Sequence, residues 1–582
     1  MIKRLMKSIR QYKKQTIKSP LFVIFEVVME VLIPLLMARL IDAGIDAGDM
    51  DVVWQMGGAL LAFAMVSLVF GALAGKYAAE ASAGFAANLR EDMFTNVQKF
   101  SFANIDKFSA SSIITRLTTD VTNVQNSFQM IIRMAIRSPF MLTFALIASF
   151  SIDSKLSLIF LALIPVMAVG LVLIMRIAFP AFVRVFKTYD KLNLKVQENL
   201  HGIRVVKSFV REDFEVKKFS EISQSIYEDN SKAEKTIAFN MPLIQFCVFA
   251  AILLLSWFGA RAIVASGNNP AAGLSTGELM SLITYNMQIL MSLMMLSMVL
   301  VMITISKASA ERISELLDEE SSLQNGAEPL SEVRDGEIVF ENVSFSYSTE
   351  AAKMCLTDIN LHIHAGETIG IIGSTGSSKS TLVQLIPRLY DVSQGRVLVG
   401  GIDVRDYDMA ALREQVAMVL QKNILFSGTV KENLRWGDEN ASDEELVRVC
   451  RLAQADSFIS QMDEGYDSWI EQGGSNVSGG QRQRLCIARA LLRRPKILIL
   501  DDSTSAVDTA TDAKLREAMR SEMPETTKLI IAQRIGSVKD ADRIIVMDDG
   551  RISACGTHEE LLENSEIYRE VYESQTKGGL GA

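Results

Sequence analysis

Thr368-Ile369-Gly370-Ile371-Ile372-Gly373-Ser374-Thr375-Gly376-Ser377-Ser378-Lys379-Ser380-Thr381 decides the fold of the C-terminal half. An apolar, β-branched run leads into a Gly/Ser-rich loop, and Thr381-Leu382-Val383 then opens a helix. Strand, loop and helix in that order are what a phosphate-binding loop requires. The backbone N–H groups of residues 373–381, together with the helix N-terminus, can cradle phosphate oxygens. In such a loop Lys379 reaches the β- and γ-phosphates and Ser380 ligates Mg²⁺. Ser378 departs from the pattern, standing where glycine usually precedes the lysine. Glycine there permits dihedrals and a close backbone approach that serine resists.

Outward from the loop, the same half begins with strand-like runs, Ile338-Val339-Phe340 and Val343-Ser344-Phe345-Ser346-Tyr347. Further on, Ile497-Leu498-Ile499-Leu500-Asp501 reads as a buried strand ending in two acids, Asp501 and Asp502. A phosphate loop paired with such a strand is an α/β ATPase pattern. An acidic, polar stretch, 318–335, separates this half from what precedes it.

The N-terminal half is apolar. Stretches at about 20–41, 54–76, 131–151, 155–178, 241–265 and 278–304 each approach the ~20 residues a helix needs to cross a bilayer. They are broken at 42–51, near Asp153 and at 267–276, and these short loops hold one Lys and no Arg. The longer connections, about 77–130 and 179–240, are rich in Lys and Arg and look helical. Residues 1–18 carry seven Lys/Arg and no acid, which suits a basic elbow better than a cleaved targeting peptide. The positive-inside rule places both termini and the long connections in the cytoplasm. The expected architecture is a six-helix transmembrane domain over 1–325, with long intracellular extensions, fused to an α/β P-loop ATPase domain over 326–582.

Composition narrows the rest. In a chain of 582 residues, 22% are charged and the net charge is −9, which argues against a nucleic-acid partner. The five cysteines are scattered without metal-type spacing and read as reduced thiols. The four histidines, His201, His362, His364 and His558, form no sequence cluster, and a metal or catalytic role is not expected of them. Glu26, Glu30, Arg39, Arg133 and Arg137 fall within or near spans, where a charge faces a cavity or a partner. Glu26 and Glu30 share a helix face and either attract cationic substrates or pair with Arg133 or Arg137. The last span carries Met287, Met291, Met294, Met295, Met298 and Met302, a flexible wall suited to varied apolar ligands or to ordinary packing.

The motifs together resemble the ABC transporter family, specifically exporter-type half-transporters, over essentially the whole chain. Val477-Ser478-Gly479-Gly480-Gln481 matches the family's signature, preceded by Glu471-Gln472-Gly473-Gly474. Tyr347 matches the aromatic residue that stacks on adenine. Gln421 matches the Q-loop residue that touches Mg²⁺, and Asp501 the Mg²⁺-associated acid. Ser505-Ala506-Val507-Asp508 matches the D-loop, with Val where Leu is usual. Asp106-Lys107-Phe108 with 115–121, and the stretch 198–207, resemble the elements through which exporter membrane domains touch the ATPase. The resemblance implies ATP and Mg²⁺ as cofactors, and head-to-tail pairing of two ATPase domains that sandwich two ATP molecules.

Two positions depart from the family. Asp502 stands where Glu orients the attacking water, and Gln533 stands where the switch histidine is usual. A carboxylate one methylene short misplaces by about 1 Å, which can cost roughly 100-fold in rate. Glutamine cannot take up a proton near neutral pH. The resemblance is therefore to the degenerate-site subunit of bacterial heterodimeric multidrug exporters. Its partners would be a second half-transporter chain, the lipid bilayer of the bacterial plasma membrane and a small amphiphilic substrate. A lipid flippase and a nucleotide-gated channel or regulatory subunit are the rival expectations. Peptide export with leader cleavage is not expected, because no protease segment precedes the first span.

Overall fold

Helix boundaries in the N-terminal half follow from short polar caps set between apolar runs. The structure is a computed structural model and describes residues 1–266, 273–347 and 354–578. Asp49 accepts from the N–H groups of Asp51 (2.9 Å) and Val52, starting the helix Met50–Val97. Asp153 does the same for Ser154–His201, accepting from Lys155 at 2.8 Å and Leu156 at 2.9 Å. Ser275 and Glu278 form a reciprocal capping box at the start of Thr276–Asp318. The break expected at 267–276 lies partly outside the described residues.

Among the described residues, six helices are long and apolar enough to cross a membrane. Met50–Val97 has 48 residues, about 72 Å at 1.5 Å per residue, against a hydrocarbon core of about 30 Å. Ser154–His201 is as long. These helices therefore run well past any bilayer, as the charged, helical connections led one to expect.

The chain divides into two compact units, one of residues 1–98 with 110–319, the other of 99–109 with 320–582. Within the first unit, Asp42, in the helical turn Leu40–Ile45 that ends the first span, ties that span to the start of the last helix. It accepts from the Ser275 hydroxyl at 2.6 Å and the Gly277 N–H at 2.8 Å. Gly277 is required there, since a Cβ would lie 2.4 Å from the Ala38 carbonyl oxygen. Arg137 resolves the question of the intramembrane acids: it bonds Glu26 at 2.5 Å and Glu30 at 2.7 Å. The pairing alternative thus accounts for both carboxylates. Of the last-span methionines, Met294 packs against the cluster around Met167, Leu171 and Leu290. Met287, Met291, Met295 and Met298 are exposed on that helix.

The second unit holds a four-stranded antiparallel sheet and a six-stranded, mostly parallel one. Strands β1 (Ile338–Phe345), β2 (Leu356–Ile363), β4 (Gln394–Val399) and β5 (Ile402–Asp403) form the first, in the order β2-β1-β4-β5. The second contains β3 (Thr368–Gly373), β6 (Val416–Val419), β9 (Ile497–Asp501), β10 (Thr527–Ile531), β11 (Arg543–Asp548) and β12 (Arg551–Gly556). Its order is β12-β11-β3-β10-β9-β6, and only β12 runs antiparallel to its neighbour. A two-residue pair, β7 (Gly428–Thr429) with β8 (Trp469–Ile470), stands apart. Continuous apolar runs such as Ile497-Leu498-Ile499-Leu500 are fully buried, which is what a parallel strand covered on both faces demands. The sheet brings the C-terminal ends of β3, β9 and β10 side by side, where ligands bind in open α/β sheets.

The short helix Phe102–Phe108 belongs to this second unit. Its Asp106 accepts from the Tyr390 hydroxyl at 2.8 Å, and Phe102 packs against the Tyr390 ring at 6.1 Å between centroids. Asn104 anchors it further, donating to the Glu320 carbonyl at 3.0 Å.

Candidate nucleotide site

The phosphate loop follows β3 and feeds the helix Lys379–Gln384. Ser378 adopts φ 69° and ψ 27°, the left-handed region. That is the physical content of the missing glycine: an L-residue held there costs roughly 1–2 kcal/mol. Gly373 cannot be replaced at all, because a Cβ would meet the Met547 carbonyl oxygen at 2.2 Å. Lys379 folds over the loop, donating to the Gly373 carbonyl at 2.9 Å and the Ser374 carbonyl at 2.8 Å. Burial lowers its ammonium pKa, opposed by the charges of Asp501 and Asp502. Ser377 and Thr381 are buried beneath the loop.

Ser380 donates to Asp501 at 2.9 Å, joining the loop to the end of β9. Burial raises the Asp501 carboxyl pKa, with the Ser380 hydrogen bond working against it. A desolvated carboxylate beside a hydroxyl is an oxygen-only donor set that suits a hard cation such as Mg²⁺. Gln421 lies two residues beyond β6, and its side chain works to lower the Asp502 carboxyl pKa. With Mg²⁺-ATP bound, Lys379 and the loop N–H groups would hold phosphate, and Ser380 and Asp501 the metal. The cation would supply charge neutralisation.

Asp502 and Gln533 meet. The Gln533 amide donates to the Asp502 carboxylate at 2.7 Å. Asp502 itself sits at φ 48°, a conformation that Asp tolerates better than most residues. Burial raises its pKa, while hydrogen bonds from Gln533 and Gln421 pull the other way.

Tyr347 is bonded to the loop helix, its hydroxyl lying 3.0 Å from the Thr381 hydroxyl and donating to Gln384 at 3.2 Å. Its ring stands edge-on to Tyr390, 5.0 Å between centroids. The signature begins the helix Gly479–Leu492. Ser478 and Gln481 form a capping box, with the Ser478 N–H donating to Gln481 at 2.9 Å. Gly480 is forced, since a Cβ would lie 2.8 Å from the Ala506 carbonyl oxygen.

Three residues escaped the sequence reading. Gln483 joins the signature helix to the D-loop, bonding Ser505 at 3.3 Å and the Ala506 N–H at 3.1 Å. Gln575, from the helix Glu566–Gly578, grips the backbone on either side of Arg534. It donates to the Gln533 carbonyl at 2.8 Å and accepts from the Ile535 N–H at 2.9 Å. Tyr390 links Tyr347 to the short helix. Position in the signature helix hints at Gln483; no spacing points to the other two.

Six apolar helices joined to an ATPase with a phosphate loop and signature define a membrane transporter powered by nucleotide. The ABC transporter transmembrane region family matches residues 16–293, and the ABC transporter family matches 356–505. The chain is 38% identical over 537 residues to the uncharacterized ABC transporter ATP-binding protein YfiB of Bacillus subtilis, covering 92% of each chain. It is 32% identical over 567 residues to the ATP-dependent lipid A-core flippase of Albidiferax ferrireducens, covering 97% of this chain and 96% of that one. A bacterial Atm1-family ABC exporter with ATP bound has the same fold, with a TM-score of 0.81 and 22% identity, over 97% of this chain and 99% of that one. The chain belongs to the ABC transporter family and is a multi-pass membrane half-transporter of the exporter fold.

Proposed function

We propose that this chain is one half of a heterodimeric ABC exporter and houses its degenerate ATP site. The observation that carries the reading is the Asp502–Gln533 pair at 2.7 Å. The shorter carboxylate is held by a neutral amide that can hydrogen-bond a γ-phosphate but cannot exchange a proton with it. Lys379, Ser380 and Asp501 retain what binding Mg²⁺-ATP needs, so the site binds and turns over slowly. The intact signature, residues 478–481, serves the partner's phosphate loop. The partner carries Glu after its own Mg²⁺-associated Asp, and a switch His.

In the proposed cycle ATP binding closes the two ATPase domains and turns the spans from inward- to outward-facing. Closure is favoured because the sandwich exists only in that state. The cargo is an amphiphilic compound taken from the cytosol or inner leaflet, with the ATPase and both termini cytoplasmic. A lipid cargo is the second reading, favoured by the likeness to lipid A-core flippases.

The test is Mg²⁺-ATP turnover of the purified chain alone and with its candidate partner, alongside the mass of each complex. Little turnover alone, restored in a two-chain complex, is expected. Brisk turnover by a homodimer overturns the asymmetric site. Stimulation by lipid and not by drugs would move the cargo to the second reading.

A further inference from the structure

Two histidines that sequence spacing left unclustered become neighbours in the fold, far along the chain from the phosphate loop's partners. His362 lies on the solvent side of β2, where buried and exposed residues alternate, and His364 follows two residues later. Residues two apart on a strand share a face. The register pairs Ile338 with Ile363 and Val339 with His362, so one further step sets Glu337 opposite His364. Directly opposite residues of an antiparallel pair also share a face. The three side chains therefore converge. The His362 Nε2 lies 2.7 Å from Glu337 Oε1, and the two imidazole rings are 4.4 Å apart between centroids. One ligand atom from each residue falls within 4.8 Å of the others.

We propose that Glu337, His362 and His364 form a binding site for a divalent transition-metal ion of the zinc class. Two imidazoles and one carboxylate suit that class and leave a fourth, solvent-filled position. Ligand atoms on a tetrahedral zinc stand about 3.3 Å apart, from bonds of about 2.0 Å. The His362–Glu337 spacing of 2.7 Å is shorter than that and all three ligand atoms lie within 4.8 Å, and exposed side chains adjust by rotation. Their backbones do not move freely. Ile338 and Ile363 are fully buried beneath them. The Glu337 N–H donates to Asp335 at 3.0 Å, and the His364 N–H to Glu367 at 2.9 Å. Arg543 donates to the His362 carbonyl at 2.7 Å and is paired with Glu367 at 2.7 Å. All three side chains are exposed or half-buried, and so open to an ion from solvent. A bound ion would staple β1, the first strand after the linker, to β2.

The experiment uses the full chain in detergent, free of any affinity tag and stripped by chelator, titrated with Zn²⁺ by calorimetry and followed by thermal melting. One saturable equivalent and a raised melting temperature are expected, since a ligand that binds only the folded state stabilises it. Mg²⁺ in place of Zn²⁺ should leave this signal absent. His362→Asn with His364→Asn should abolish the equivalent while leaving the metal-free melting temperature and basal ATP turnover unchanged. Glu337→Gln should weaken binding beyond the roughly tenfold of an outer-shell change. Unchanged Zn²⁺ binding in the double variant, or no saturable binding by the native chain, overturns the proposal.

Discussion

Asp502 and Gln533 are two departures from a family pattern that turn out to be one hydrogen bond. Restoring both, by Asp502→Glu with Gln533→His, should raise turnover of this chain's own site by about 100-fold if the misplaced carboxylate is the main defect. Single-turnover measurements on a complex whose other site is disabled would read it. Glu tolerates the φ of 48° less well than Asp, so Asp502→Glu alone should recover less. Asp501 carries a second expectation. Burial holds its carboxyl above the ordinary 3.8, so the folded state binds that proton more tightly than the unfolded chain does. The resulting penalty is absent below the ordinary value, grows as pH rises through the shifted pKa and is complete above it. Asp501→Asn should therefore raise the melting temperature of the nucleotide-free, Mg²⁺-free protein at neutral pH, with the gain shrinking toward pH about 4. A gain that is constant with pH would contradict this. At this scale the loop residues 373–381 were legible because their chemistry is fixed by local order. The Asp502–Gln533 bond and the Gln575 grip were not, since the chain meets itself there only through β9, β10 and a distant helix.

At the scale of elements, periodicity and caps carried the reading. Asp49, Asp153 and Ser275 stand where apolar runs restart, and each caps a helix. What the sequence left open was which helices meet. Glu26 and Glu30 could equally have faced a cargo, and only packing brought Arg137 between them. Removing one partner of a buried ion pair typically costs about 3–5 kcal/mol, because the other charges are stranded. Arg137 and Glu30 are only part-buried, so Arg137→Ala should destabilise the membrane unit by an amount toward the lower end of that range, measured by unfolding in detergent. The triple change Glu26→Gln, Glu30→Gln, Arg137→Met should lose far less. Equal losses in both variants would mean the ion pairs matter little and shape matters more.

Across the whole molecule, the two halves are visible in composition alone, but their interleaving is not. Residues 99–109 are flanked on both sides by the membrane unit and yet pack with the ATPase. The stretch around Asp106-Lys107-Phe108 stands out from a solvated amphipathic helix only by its resemblance to exporter elements that touch the ATPase, since its partner Tyr390 is supplied by tertiary structure. An isolated fragment of residues 326–582 should accordingly be incomplete, with Tyr390 bared. Adding a peptide of residues 99–109 should raise its melting temperature, and the same peptide with Asp106→Ala should do so less. No response to either peptide would mean the segment adds nothing to the ATPase's stability.

Asp106 precedes Tyr390 by 284 residues. At ordinary rates of synthesis, the short helix leaves the ribosome roughly 15–60 s before the surface that receives it exists. During that interval Phe102 has no Tyr390 ring to pack against, and the membrane half is being threaded into the bilayer. The ATPase unit in its docked form therefore includes a segment that its own end of the chain does not supply. It must recapture a segment made long before, which makes assembly of this protein sensitive to pauses in translation and to anything that sequesters residues 99–109 in the meantime.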